Sequence, residues 1–195
     1  MVEDVLRDCA RAYPFRALSL RYFNPIGADP LLRTGPRPQA RGPVMNEIME
    51  AARNGRTFSI TGTDWPTRDG SGLRDYIHVW DLARAHVQAV RRFDAVLPVD
   101  GSCGYDAVDV GTGRGTTVIE LLAAFRGVTG RPLDVVRTAA RPGDLAGIHT
   151  RSERCRELLQ WAPTLSLEDA IRDAVRWTNA RDGSTSTAER GLGGR

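Results

Sequence analysis

A chain of 195 residues, 41% of them hydrophobic, is long enough to bury a sizeable core, and no apolar run approaches the roughly 18 residues that a membrane span requires. The formal net charge of +3 is spread over arginines interleaved with acids, which argues against a nucleic-acid-binding stripe. All 27 basic residues are arginine, and a chain without lysine forms neither a Schiff base nor a Walker-type phosphate site.

The N-terminal segment MVEDVLRDCARAY reads as an amphipathic helix with Val2, Val5, Leu6, Cys9 and Ala12 close to one side, ended by Pro14. It lacks the charged-then-apolar order of an export signal, so a cytoplasmic protein is expected. Cys9, Cys103 and Cys155 are far apart without metal-type spacing, which predicts free thiols and no metal site. Ala17 to Phe23 reads as a buried strand, and Asn24-Pro25-Ile26-Gly27 reads as the turn that closes it. An asparagine at a strand end faces the region where open α/β sheets bind ligands. From spacing alone, Asn24 fits a ligand contact and a simple turn cap equally well.

Ala28 to Pro43 is rich in Pro, Gly and Arg, and a loop of that length is functional or disordered. Val44 to Asn54 follows as a helix with Asn54-Gly55 as a left-handed stop, and Thr57 to Thr61 as a short strand.

The stretch Thr61 to Val90 then combines a Gly-broken polar loop, an Arg74-Asp75-Tyr76 cluster and a helix, the makings of a binding edge. Period-two alternation predicts Arg74, Tyr76 and His78 on one strand face, with Leu73, Ile77 and Val79 on the other. Helical spacing predicts that Val79, Leu82, Ala83, His86 and Val90 form the buried stripe of the helix.

Beyond it, a strand over Ala107 to Val110 leads through Gly111-Thr112-Gly113-Arg114-Gly115 into a helix opened by a Thr117/Glu120 capping box. The dinucleotide pattern G-x-G-x-x-G needs glycine where Thr116 stands, so this turn is a poor cofactor cradle. Leu133 to Arg137 is a further strand, and Arg141-Pro142-Gly143-Asp144 a turn presenting one cation and one anion. Helices are expected over Arg151 to Leu159 and Ser166 to Asn179. Residues 181–195 lack hydrophobic content and are expected to be a disordered tail.

The segments RYFNPIGA, TGTDWPTRDGSGLRDYIHVWDLA, VDVGTGRGTTVIEL and RPGD followed by TRSERCRELLQW resemble, in order and spacing, the C-terminal half of the UDP-glucose 4-epimerases, extended short-chain dehydrogenases/reductases. The resemblance runs from residue 1 to about residue 180. It implies an α/β fold, the C-terminal remnant of a Rossmann-like protein: 1–27 from the nucleotide-binding domain, 28–180 as the small UDP-sugar-binding domain with returning elements.

By this resemblance Asn24, Arg74, Tyr76, Arg141 and Asp144 bind substrate. Asn24 hydrogen-bonds the nucleotide-sugar, the two arginines hold the diphosphate and Asp144 meets the uridine ribose, while Tyr22 and Pro25 line the nicotinamide side of NAD. Ile148 stands near the position that limits the sugar's bulk, which leaves N-acetylated substrates open.

None of Tyr13, Tyr22, Tyr76 and Tyr105 is followed four residues on by lysine, so the family's Tyr-x-x-x-Lys pair is absent and no catalytic residue is assigned. The implied protein is a truncated member of a homodimeric family, in which UDP-glucose and UDP-galactose interconvert on NAD in galactose metabolism. Alternatives are a UDP-sugar-binding module, the partner of a separately encoded Rossmann half, or a related UDP-sugar decarboxylase or dehydratase.

Overall fold

The computed structural model describes residues 1–37, 42–100 and 104–192, with side chains to residue 181. In chain order the elements are α1 (Val2–Ala12), β1 (Ala17–Tyr22), β2 (Asn24–Ile26), α2 (Val44–Asn54), β3 (Phe58–Thr61), β4 (Leu73–Arg74), β5 (Tyr76–His78), α3 (Val79–Arg91), α4 (Phe93–Val96), β6 (Tyr105–Val110), β7 (Thr116–Thr117), α5 (Val118–Thr129), β8 (Val135–Thr138), β9 (Gly147–Ile148), α6 (Glu153–Leu159) and α7 (Leu167–Leu192). This is an α/β chain in which parallel pairing dominates. β1 pairs with β6, β2 with β5 and β3 with β8, all parallel, and β4 lies between antiparallel β7 and parallel β9.

Two hydrophobic clusters hold these elements. One joins α2, β3, α5 and α7 through Ile48, Phe58, Phe125 and Ile171; the other joins α3, β6 and α6 through Ile77, Ala85, Val108 and Leu159, with Leu18 and Leu20 of β1 packed against it. The second cluster therefore ties the N-terminal strand to elements far along the chain. β5 sits at the junction, since Tyr76 belongs to the first cluster and Ile77 to the second.

Local signals are realised where they are local. Gly55 takes the left-handed conformation (φ 61°) that ends α2, and Thr117 and Glu120 form the reciprocal capping box of α5. Four expectations are corrected. Asn24–Ile26 is a strand and not a turn, because its backbone finds a parallel partner in β5. The alternation over residues 73–79 breaks at Asp75, and Tyr76, Ile77 and His78 are all buried because the two clusters cover both faces.

The buried side of α3 consists of Asp81, Leu82, Ala85 and Ala89, while Val79 and Val90 are exposed. Small residues allow close approach there. The buried Asp81 carboxylate accepts the amides of Thr164 and Leu165, each at 2.8 Å, which fastens the turn before α7 to α3. Lastly, the backbone of α7 stays helical to Leu192, past residue 181; once its packed first half is fixed, each added residue gains a hydrogen bond without a new nucleation cost.

The described part of the long loop is anchored as well. Buried Asp29 pairs with Arg33, and Trp177 donates its indole N–H to the Pro36 carbonyl at 2.9 Å. Cys9 and Cys155 are free thiols, and burial pushes the Cys155 thiol up to about 11; Cys103 lies outside the described residues. Among the described residues no helix is long and apolar enough to cross a membrane.

Candidate functional site

The parallel pairing of β2 with β5 sets Asn24 directly across from Tyr76, and Arg74 lies two residues before Tyr76 on β4. These three side chains line a cleft of about 420 Å³ together with Pro25, Trp65, Val118 and Asp144. That volume lies within the range of small-molecule sites, roughly 300 to 1,000 Å³. Its wall is apolar around Val44, Trp65, Val118 and Leu145, with Arg74 and Asp144 as its ionisable groups besides Tyr76. A second cavity of about 820 Å³ shares Asn24 and Arg74 with the first and is lined further by Tyr22, Asp109, Ile148 and Arg151. Arg74 therefore stands where two cavities meet.

The half-buried Arg74 guanidinium donates to the Leu73 carbonyl at 2.7 Å, and among the described residues it has no carboxylate partner. A cation held in a concave wall without a counter-charge suits an anionic ligand, and its planar fork matches phosphate oxygens. Next to it, burial pushes the Tyr76 hydroxyl up to about 12, with Arg74 pulling the other way. At neutral pH Tyr76 is therefore a neutral hydrogen-bond donor, unsuited to act as a base.

Asp144 enters the cleft from a turn closed by its own amide on the Arg141 carbonyl (3.1 Å) and by its carboxylate on the Arg141 amide (3.2 Å), with Gly143 at φ 85°. Of the sequence-expected residues, Asn24, Pro25, Arg74, Tyr76 and Asp144 come together in the first cleft and Tyr22 lines the second. Arg141 is exposed on the turn and lines neither. Trp65, Thr61 and Val118 also line the cleft, which the sequence reading did not single out. A tryptophan inside a polar, Gly-rich loop was the available signal for Trp65.

The glycine turn after β6 does not fit a dinucleotide. Three of its amides are already used: Thr112 and Gly113 donate to the fully buried Asp75 carboxylate at 2.9 and 3.1 Å, where Thr150 from another segment adds a longer bond at 3.4 Å, and Arg114 donates to the Thr112 hydroxyl at 3.1 Å. A Cβ on Gly111 would lie 2.6 Å from Asp75 Oδ2, so this glycine makes room for a carboxylate of the chain itself rather than for a pyrophosphate.

Residues 1–102 match the model of the NAD dependent epimerase/dehydratase family. The chain belongs to this family. A UDP-glucose 4-epimerase of Cyamopsis tetragonoloba is 35% identical over 181 residues, covering 91% of this chain and 50% of the relative; one of Bacillus subtilis (strain 168) is 36% identical over 195 residues, covering 97% and 55%. Among solved structures, a UDP-glucose 4-epimerase of Stenotrophomonas maltophila with bound NAD and formylated UDP-arabinopyranose aligns with a TM-score of 0.85 at 33% identity, covering 94% of this chain and 54% of that one. The Bifidobacterium longum enzyme in complex with NAD+ and UDP aligns at 0.83 and 30% identity, covering 92% and 52%. This family member thus spans about half the length of the relatives it matches.

Proposed function

We propose that this chain supplies the sugar-nucleotide grip of a UDP-glucose 4-epimerase acting on UDP-glucose and UDP-galactose. The observation that carries the reading is Arg74, a guanidinium without a carboxylate partner among the described residues at the junction of two cavities. The lining chemistry orients the ligand. The apolar cleft around Trp65 and Val118 takes the uracil, Asp144 accepts hydrogen bonds from the ribose hydroxyls, Arg74 holds the diphosphate and the second cavity receives the sugar. Asn24 and Tyr76, paired across β2 and β5, donate to the ligand from its flank. Arg141 adds its charge from the turn that carries Asp144.

NAD, when bound, supplies the hydride chemistry of the family. In this reading Tyr22 and Pro25 touch its nicotinamide end. The chain's own residues bind and orient the substrate. With no lysine, the 195 residues contain no Tyr-x-x-x-Lys proton-transfer pair, and the chain alone is expected to turn over neither UDP-sugar.

A calorimetric titration tests the reading, comparing UDP with uridine. Tighter binding of UDP than of the uncharged nucleoside, weakening as salt rises, is the expected result. Equal binding of the two, or none of either, contradicts it.

A further inference from the structure

Two apolar side chains of the first cleft come from segments far apart in the chain: Trp65 from the loop of residues 62–72 between β3 and β4, and Val118 from the first position of α5. One carboxylate joins these segments. Asp69 accepts the Ser71 amide at 2.9 Å and the Ser71 hydroxyl at 2.7 Å, and it also accepts the hydroxyl of Thr117, the residue before Val118. Each hydroxyl has one proton and gives it to Asp69, so its lone pairs are left for α5: Ser71 Oγ takes the Ile119 amide and Thr117 Oγ1 the Glu120 amide, both at 3.2 Å. Ser71 and Thr117 are fully buried. The walls hang from the same point, since the Trp65 amide donates to the Gly70 carbonyl and the Val118 amide to the Gly72 carbonyl, both at 3.0 Å. The pair of Arg68 and Glu120 also spans loop and helix, but a pair so exposed contributes little.

The apolar part of the cleft is therefore assembled before a ligand arrives, and a wall already in place lowers the cost of binding. We propose that Asp69 is a positioning residue for the nucleobase: it lines neither cavity and acts through Trp65 and Val118, whose spacing it fixes. The inference rests on the sugar-nucleotide reading above and assigns the group that holds its base end in shape. A Cβ on Gly62 would lie 2.2 Å from Trp65 Nε1, so the indole is seated against the backbone of its own loop and moves with it. Asp69→Asn keeps the size of the side chain but turns one acceptor into a donor facing the Thr117 hydroxyl, which leaves that buried proton without a partner and loosens the tie.

The experiment titrates the parent chain and its Asp69→Asn variant with uridine and UDP at one ionic strength, with fluorine NMR of protein labelled with 5-fluorotryptophan as a second readout. The Trp65 resonance is assigned from Trp65→Phe, and that of Trp161, buried in the other hydrophobic cluster, reports whether the variant is folded. Asp69→Asn should bind uridine and UDP more weakly by the same factor, about three- to tenfold, with the Trp65 resonance displaced and that of Trp161 unmoved. Loss of a negative charge acting through space would instead strengthen the binding of UDP alone. Unchanged affinities in the folded variant, or a change confined to UDP, overturn the proposal. If Asp69→Asn loses the Trp161 resonance, Thr117→Val, which removes the other end of the tie without a change of charge, is judged by the same criteria. Failure of the parent chain to bind either ligand removes the sugar-nucleotide reading and this inference with it.

Discussion

The Asp75 carboxylate meets Thr112 twice, accepting its amide at 2.9 Å and its hydroxyl at 2.6 Å, and so fastens the glycine turn after β6 to the segment that carries Arg74 and Tyr76. Because Asp75 is fully buried, its removal leaves the Thr112 and Gly113 amides without partners. Asp75→Ala should cost about 3 to 5 kcal/mol of stability, and Asp75→Asn, which keeps one acceptor oxygen, clearly less. Gly111→Ala should destabilise too, by driving a methyl group into the same carboxylate. Urea unfolding of the three variants checks this, and a midpoint unchanged in Asp75→Ala contradicts it.

His78 links the site to the last helix. Its Nδ1 accepts the Trp80 amide at 3.0 Å, capping α3, which leaves Nε2 to carry the proton and donate to Asp173 at 3.3 Å. His78→Ala loses the cap and one of two partners of the Asp173 carboxylate, which keeps Arg176 at 3.0 Å, for a cost of about 1 to 3 kcal/mol. His78→Asn should recover part of the cap but not the reach to Asp173. Equal stability of the two variants would count against the division of roles between the ring nitrogens.

Acid should release the start of α7. Hydrogen bonds from the Ser166 amide and hydroxyl, with Arg172 beside them, lower the Asp169 carboxyl from 3.8 to about 2. A depressed carboxylate stabilises the fold fully above its unfolded value, and that contribution is lost as pH falls through the folded value. The window is therefore about pH 4 down to about pH 2. Asp169→Asn should show a shallower loss of stability across it than the parent chain, and parallel acid titrations of the two would refute the assignment.

No residue of α1 is buried, and Val2 and Val5 are 72% and 57% exposed. An apolar helix face of this kind favours association. The 195-residue chain should sediment as more than a monomer at micromolar concentration, and Val2→Glu with Val5→Glu should shift it toward monomer. A monodisperse parent chain insensitive to these changes contradicts this.

What the sequence made legible was local or chemically marked. The Thr117/Glu120 box and the Asn54-Gly55 stop depend on neighbours in the chain, so their signals survive folding. β2 was not legible: Asn-Pro-Ile-Gly has the composition of a turn, and only Tyr76 to His78, some fifty residues later, make it a strand. Apart from Leu82, the buried side of α3 was hidden because alanines and a hydrogen-bonded aspartate occupy it, where a count of large apolar residues points elsewhere. Of the cleft's lining, Asn24, Arg74, Tyr76 and Asp144 were singled out through resemblance, whereas the wall sets Thr61 and Trp65, at and just after the end of β3, with Val118 at the start of α5, two segments that no local pattern connects.

The most direct measurement is UDP affinity at fixed ionic strength in the parent chain, Arg74→Ala and Arg74→Lys. Loss of a charge-assisted contact costs about 1.5 to 3 kcal/mol, so Arg74→Ala should bind UDP roughly ten- to a hundredfold more weakly. Arg74→Lys should recover part of that loss, since it restores the charge without the planar fork. UDP affinity unchanged in Arg74→Ala would show that the guanidinium at the junction of the two cavities does not hold the diphosphate, and would contradict the account at its centre.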